Sequence, residues 1–258
     1  MTAQVVLVHG IRTSATMWRA QVEHLRDRGV PVHAIDLPGH GRRIDEPWSL
    51  EAAIDSIDRA VTAAAEHGPV VLAGHSLGGI LSTAYMGRPG TAPPVDAFVA
   101  FSCTALPRGA ALRAYRLATR SFNRLPGNGR WFVERALDAQ LPRETRHDFG
   151  AGGYSLAQED RALESLRGVD LVRALARLRR RDVPVWFVNG EWDQLRVNER
   201  LFTRLVPRAE LVIVRRSTHL VTVMRPRVAA AVLDLAIASA NARARRADAG
   251  GARSVAAG

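Results

Sequence analysis

Short apolar runs alternate with amphipathic stretches along most of the chain. The apolar runs cover residues 4–8, 30–36, 69–73, 95–103, 183–188 and 209–214. They are rich in valine and lack the in-and-out alternation of a half-exposed strand, which is typical of buried strands in a parallel sheet. Apolar residues at helical spacing occur over residues 13–28, 49–67, 77–85 and 225–240. This alternation predicts an α/β fold, with helices on both faces of a mostly parallel, six-stranded sheet.

The alternation of strand and helix patterns stops between residues 104 and 181, where no strand pattern occurs. Short helical stretches lie there, separated by segments rich in proline and glycine. Because this segment is inserted between two core strands, we expect a helical cap over 104–181, with 1–103 and 182–240 forming the core. The last segment, 241–258, is rich in alanine, glycine and arginine, and we expect it to be disordered.

Composition narrows the classes of function. The chain has 258 residues, 47% of them hydrophobic, which is enough for one large domain with a substantial core. Its net charge of +11 comes from arginine without any lysine, and no nucleic-acid-binding motif accompanies it, so we expect no nucleic-acid partner. No apolar run reaches the roughly 18 to 20 residues of a membrane span, and the first residues have no secretory signal pattern. A single cysteine, Cys103, is consistent with a reducing compartment, and we expect a cytoplasmic protein without membrane association.

One glycine-rich turn stands out as a site for chemistry. The run at 69–73 is followed by Gly74-His75-Ser76-Leu77-Gly78, and a helical pattern starts directly after Ser76. Glycines two residues before and after the serine remove the side chains that would clash in a sharp bend. Such a strand-to-helix turn is typical of a nucleophile elbow, which holds a hydroxyl above the sheet beside a helix N-terminus.

A serine hydroxyl needs a base to take its proton and a third group to orient that base. Two later strand ends supply candidates, because Asp193 follows the run at 183–188 and His219 follows the run at 209–214. Functional groups of open parallel sheets collect beyond the carboxyl ends of strands, so we expect Ser76, Asp193 and His219 to meet there. Glu191 is the alternative acid, although the spacing after Gly190 favours Asp193.

Taken together, these motifs resemble those of the α/β-hydrolases over nearly the whole chain. The resemblance rests on His9-Gly10-Ile11, Asp36 to Gly41, Gly74 to Gly79, Gly190 to Asp193, and His219. It implies the α/β-hydrolase fold, and we expect the usual antiparallel hairpin before the first strand to be missing or vestigial.

The resemblance also implies a role for each residue of the site. Ser76 would be the nucleophile, His219 the general base and then acid, and Asp193 the carboxylate that orients the histidine. The backbone N–H groups of Ile11 and Leu77 would form the oxyanion hole. A neighbour of the nucleophile on the elbow points away from it, so we expect His75 to be structural.

Other residues near these motifs have more than one interpretation. His9 and His40 belong to loop motifs and are expected to make loop hydrogen bonds. Arg12 follows the oxyanion loop, and its charge is either solvated or in contact with a substrate carboxylate. Trp131 and Tyr154 belong either to a small apolar core of the cap or to the wall of a substrate pocket.

We therefore expect a carboxylesterase-like serine hydrolase that cleaves a small or medium ester through an acyl-enzyme intermediate. A thioesterase, or a lactonase or cyclase of a biosynthetic pathway, would use the same groups and is an alternative. A non-hydrolytic lyase or a ligand-binding protein on the same fold is another. The eight histidines are scattered, and there is no metal-binding or phosphate-binding motif, so we expect no metal and no cofactor. The expected partner is a small-molecule ester or thioester.

Overall fold

One six-stranded sheet forms the centre of the protein. The computed structural model describes residues 2–255, without the side chains of residues 110, 111, 114, 118, 122, 129, 130, 133, 248 and 250–255. The strands are β1 (Gln4–Val8), β2 (Val32–Ile35), β3 (Val70–His75), β4 (Ala97–Phe101), β5 (Val185–Gly190) and β6 (Glu210–Val214). Their order is β2-β1-β3-β4-β5-β6, and every neighbouring pair is parallel. The predicted six-stranded parallel sheet is confirmed.

Helices connect the strands and cover the sheet. They are α1 (Arg19–Arg26), α2 (Leu50–Ala65), α3 (Leu77–Met86), α4 (Gly109–Asn123), α5 (Arg130–Gln140), α6 (Leu156–Ser165), α7 (Leu171–Leu178), α8 (Glu199–Leu205), α9 (Val221–Met224) and α10 (Pro226–Val255). The predicted start of α2 is confirmed, because the Ser49 side chain accepts a hydrogen bond from the Ala52 N–H. Within residues 2–255, none of these helices combines the length and the apolar character that a membrane span requires.

Both faces of the sheet are buried. On one face Val6 and Leu72 pack with apolar residues of α2, α3 and α7. On the other face Val5 and Val71 pack with residues of α1 and α10. Since successive strand residues point to opposite faces, strands covered on both sides need apolar residues at nearly every position. This is the physical origin of the continuous apolar runs in the sequence.

The strand order places two loops on either side of a crevice at the carboxyl ends of the strands. The chain moves from β1 to β2 on one side and then returns to form β3 on the other side of β1. The loops that follow β1 and β3 therefore diverge above the sheet, at the point where open α/β sheets form their binding crevice. These are the loops that contain Ile11 and Ser76.

The helices α4 to α7 lie between β4 and β5 in the chain, within the segment 104–181. Part of this segment is bound to core loops: Gly41 N–H donates to the Gly153 carbonyl at 3.0 Å, and Ser155 N–H donates to the Gly39 carbonyl at 2.8 Å. The last of the four helices packs against α3 of the core, since Leu175 of α7 belongs to the same buried cluster as residues of α3. The segment is thus held to the core at its middle and at its end.

Two expectations about helices need correction. The stretch 13–28 is not one helix, because a 3₁₀ turn at Ala15–Trp18 precedes α1. The tail from residue 241 was expected to be disordered, but α10 continues to Val255. Alanine and arginine have high helix propensity, and Arg243 forms an ion pair with Asp182 at 2.9 Å, so the helix does not end at residue 240. Residues 256–258 of the tail lie outside the described residues.

Candidate active site

Ser76 lies on a sharp turn between β3 and α3. Its φ of 51° and ψ of −114° are unusual for a residue with a side chain. The turn depends on close backbone approaches, because a Cβ at Gly74 would lie 2.5 Å from the Gly78 carbonyl oxygen. A Cβ at Gly78 would in turn collide with the Val8 carbonyl oxygen at the end of β1. The two glycines therefore allow the turn itself and its contact with the loop after β1.

The structure brings Ser76, His219 and Asp193 together. His219 Nε2 lies 2.8 Å from Ser76 Oγ, and His219 Nδ1 lies 3.0 and 3.1 Å from the two carboxylate oxygens of Asp193. With Nδ1–H donating to the carboxylate, the lone pair of Nε2 faces the serine hydroxyl, which donates to it. The loops meet because Gly190 has no side chain, as a Cβ there would lie 2.5 Å from the Ser217 carbonyl oxygen.

Asp193 is held as a buried carboxylate. Its side chain is inaccessible to solvent, and its Oδ1 accepts a hydrogen bond from the Leu195 N–H at 2.8 Å. Burial alone would raise the pKa of Asp193, but the hydrogen bond and charge of His219 outweigh it, so the pKa is lowered. The alternative acid, Glu191, is exposed and accepts a hydrogen bond from the Arg216 N–H at 2.9 Å instead.

Two backbone N–H groups beside Ser76 are available to an anion. Leu77 is the first residue of α3, so its N–H has no partner within the helix. Among the described residues, neither Leu77 N–H nor Ile11 N–H donates a hydrogen bond. Ile11 lines a cavity together with Ser76, as does Leu77. The positions of these groups suit the stabilisation of negative charge next to the serine oxygen.

His75 holds the backbone of His219 in place through a hydrogen bond. Its Nε2–H donates to the backbone carbonyl of His219 at 2.9 Å, and it makes no hydrogen bond to Ser76. Burial, together with the nearby His219, lowers the pKa of His75 to about 3, so the ring stays neutral. The expected structural role agrees with these contacts, but His75 also forms part of the wall of the cavity above Ser76.

The two loop histidines make the hydrogen bonds expected of them. His9 Nδ1–H donates to the Gly10 carbonyl at 2.7 Å, and His9 Nε2 accepts from the Leu37 N–H at 3.0 Å. A ring nitrogen of His40 donates to the Pro38 carbonyl at 2.9 Å. The bond between His9 and Leu37 connects the loops after β1 and β2, and the other two bonds each lie within one of these loops.

Arg12 is not a solvated charge, because its guanidinium is paired inside the protein. Its Nε lies 2.5 Å from Glu159 Oε1, and one terminal nitrogen lies 3.1 Å from Glu159 Oε2 and 2.9 Å from Asn123 Oδ1. The Asn123 amide also donates to Glu159 Oε2 at 2.9 Å. The interpretation of Arg12 as a solvated charge is therefore corrected, because its charge is paired with a buried acid of α6. Contact between Arg12 and a substrate carboxylate stays a prediction. Glu159 and Asn123 lie more than 100 residues away, and no sequence signal connects them to Arg12.

A cavity of about 610 Å³ opens above Ser76. His219, Arg12, Tyr115 and Tyr154 line it, together with the glycine-rich segment 150–153. Tyr154 is therefore at the pocket wall, which is one of its two expected interpretations. Trp131 lies neither in the wall of this cavity nor in an apolar core of the cap, since its side chain on α5 is 62% exposed and contacts Phe132. Both expected interpretations of Trp131 are corrected.

A second, smaller cavity of about 90 Å³ also reaches Ser76. Its wall is apolar and includes Ile80, Leu106, Leu112, Leu163, Leu166 and Leu195. Ile11 and Tyr115 line both cavities. Neither Tyr115 nor this cavity was predicted from the sequence, because the leucines of the wall come from α4, α6 and three loop or turn segments and look like ordinary core residues.

Comparison with known proteins supports one family. The sequence profile described as "Alpha/beta hydrolase family" matches residues 5–232. Lipase LipV of Mycobacterium tuberculosis is 36% identical over 83 residues, 31% of this chain and 30% of the lipase. The human putative protein-lysine deacylase ABHD14B is 37% identical over 105 residues, 39% of this chain and 50% of the relative. These matches thus cover half or less of the relatives' own lengths.

The fold is shared with solved structures over almost the full chain. A carboxylesterase structure from Nitrososphaera gargenis superimposes with a TM-score of 0.75 at 19% identity, covering 94% of this chain and 92% of that one. At such identity the similarity concerns the fold and does not extend to a substrate.

Proposed function

Since the chain belongs to the alpha/beta hydrolase family, we propose that it is a serine hydrolase that cleaves carboxylic esters through an acyl-enzyme intermediate. The observation that carries this proposal is the pair of contacts made by His219, 2.8 Å to the Ser76 oxygen and 3.0 Å to the Asp193 carboxylate. This is the arrangement in which a serine hydroxyl becomes a nucleophile.

In the first half of the reaction, Ser76 Oγ forms a bond to the ester carbonyl carbon. His219 Nε2 takes the serine proton, and the buried Asp193 stabilises the imidazolium that results. The carbonyl oxygen becomes an oxyanion between the N–H groups of Leu77 and Ile11. When the bond between carbon and alcohol oxygen breaks, His219 returns the proton to the leaving alcohol.

In the second half, water replaces the alcohol. His219 Nε2 takes a proton from the water, whose oxygen attacks the carbonyl carbon of the acyl-enzyme, and the same two N–H groups stabilise the second oxyanion. The bond to Ser76 Oγ then breaks, and the serine oxygen recovers its proton from His219. The products are the carboxylic acid and the free enzyme, and no cofactor is needed.

Rapid-mixing assays with p-nitrophenyl butanoate and with a butanoyl thioester test this proposal. We expect a burst of about one equivalent of p-nitrophenol where deacylation is slow, followed by steady turnover, and a lower kcat/KM for the thioester. A higher kcat/KM for the thioester would favour a thioesterase. Absence of both the burst and the turnover, for esters and thioesters alike, would contradict a serine hydrolase.

A further inference from the structure

The two cavities that meet at Ser76 differ in size and in chemistry. We propose that the small apolar cavity binds the acyl group and the large cavity binds the alcohol group, so that the preferred substrates are esters of short apolar acids with larger alcohols. This inference rests on the proposed serine hydrolase function and specifies its substrate class.

The direction of binding follows from the position of the proton donor. In the tetrahedral intermediate the leaving oxygen must face His219 Nε2, since that nitrogen delivers its proton. His219 lines the large cavity and not the small one. The alcohol group therefore extends into the large cavity.

The remaining substituent of the carbonyl carbon is the acyl chain. Because the alcohol group occupies the large cavity, the small cavity is available for this chain. The oxyanion lies against the N–H groups of Ile11 and Leu77, and both residues line the small cavity. An acyl chain attached to the same carbon then enters the space enclosed by Leu106, Leu163 and Leu166.

The volume of the small cavity limits the chain length. A cavity of about 150 Å³ holds the six carbons of benzene, so the 90 Å³ here suits about three or four carbons. An apolar wall favours hydrocarbon, because a polar group would lose its hydrogen bonds to water there without compensation. Acetyl to butanoyl groups satisfy both conditions.

Two series of substrates test the inference in the wild-type protein. In the first, p-nitrophenol is kept and the acyl chain is lengthened from acetyl to decanoyl. We expect the highest kcat/KM between acetate and butanoate, and a fall of at least about tenfold by octanoate, because methylenes that do not fit a pocket discriminate on this scale. In the second, butanoate is kept and the alcohol grows from methanol to naphthol. There we expect larger alcohols to be accepted.

Two matched variants separate the cavities. Leu106→Ala removes three carbons from the wall of the small cavity, and the backbone N–H of residue 106 still bonds Asn198. We expect it to move the acyl optimum towards hexanoate without changing the alcohol profile. Leu137→Ala enlarges only the large cavity, so it is expected to change the alcohol profile and leave the acyl optimum in place.

If Leu106→Ala does not fold, a second variant that fills the small cavity still tests the inference. Ala105→Leu reduces the small cavity and is expected to restrict the enzyme to acetate. The inference is overturned if the wild-type optimum is octanoate or longer, or if Leu106→Ala and Leu137→Ala act on the opposite series. Those results would leave the serine hydrolase function standing. Absence of turnover for every ester, with Ser76 unreactive towards a phosphonate probe, would contradict both proposals.

Discussion

The guanidinium of Arg12 and the carboxylate of Glu159 form a two-point ion pair, with Nε and Oε1 2.5 Å apart. Arg12 is the residue after Ile11, and Glu159 lies on α6 in the segment 104–181. The pair therefore connects the loop that would hold the oxyanion to the helices above the sheet. Glu159 is only 3% exposed, so it depends on Arg12 and Asn123 for compensation of its charge.

Removing the charge of Glu159 is expected to destabilise the protein. In Glu159→Gln, the amide presents N–H groups where an oxygen accepted bonds from Arg12 and Asn123, and the arginine is left partly buried without a counter-charge. We expect the free energy of unfolding to fall by about 3 kcal/mol, measured by urea denaturation.

The control for this variant is an acid of a surface pair. Glu23 pairs with Arg19 on α1 and is 58% exposed, so Glu23→Gln is expected to change the free energy of unfolding by no more than about 0.5 kcal/mol. Equal losses in the two variants would show that the Arg12 pair has no special structural importance.

The choice between the two acids after β5 can be tested by matched amide substitutions. Asp193→Asn keeps the shape but removes the charge that stabilises the imidazolium, so we expect kcat to fall by about 10³- to 10⁴-fold. Glu191→Gln can still accept from the Arg216 N–H, and we expect kcat to change less than about threefold. If Glu191→Gln were the more damaging substitution, the assignment of Asp193 would be wrong.

Buried histidines make stability depend on pH. The pKa of His9 is lowered to about 3, first by burial, and its Nε2 must stay unprotonated to accept from the Leu37 N–H. An unfolded histidine has a pKa near 6.5, so below that pH the unfolded state binds more protons than the folded one. The stability that neutral His9 contributes is therefore fully present above pH 6.5 and is lost as pH falls towards 3.

The loss of folding stability at low pH has a size that can be predicted and compared with a control variant. His9 contributes up to about 1.4 kcal/mol per pH unit to the slope, and His75, with a similar pKa, contributes as much. Urea denaturation between pH 7 and pH 4.5 should give a shallower slope for His9→Gln than for the wild-type protein. The exposed His67 provides the comparison, since His67→Gln should leave the slope unchanged. A wild-type protein equally stable at pH 7 and pH 4.5 would contradict this prediction.

The sheet and the polar contacts of Ser76 were predictable because their signals are local. A buried parallel strand must be apolar at nearly every position, and a sharp strand-to-helix turn needs Gly74 and Gly78 close to the serine. Asp193 and His219 could be placed as well, because the carboxyl ends of parallel strands lie along one edge.

Contacts of the segment 104–181 could not be predicted in the same way. Trp131 was a candidate for the pocket, yet its position on α5 leaves it exposed, while the inconspicuous Tyr115 borders both cavities. Likewise, the partner of Arg12 is 147 residues away in the chain. Such choices depend on how helices pack on one another, which helical spacing alone does not determine.

The central claim is that Ser76 is the nucleophile activated by His219. The most direct test is reaction with a fluorophosphonate probe, followed by peptide mass spectrometry and a kcat measurement. We predict one label per chain on Ser76, no label in Ser76→Ala, and a fall in kcat of at least about 10⁴-fold in that variant with the fold retained. Ser155→Ala is the control, since the Ser155 side chain makes no capping hydrogen bond at α6 and should be dispensable. A label on another residue, or undiminished turnover by folded Ser76→Ala, would contradict the claim.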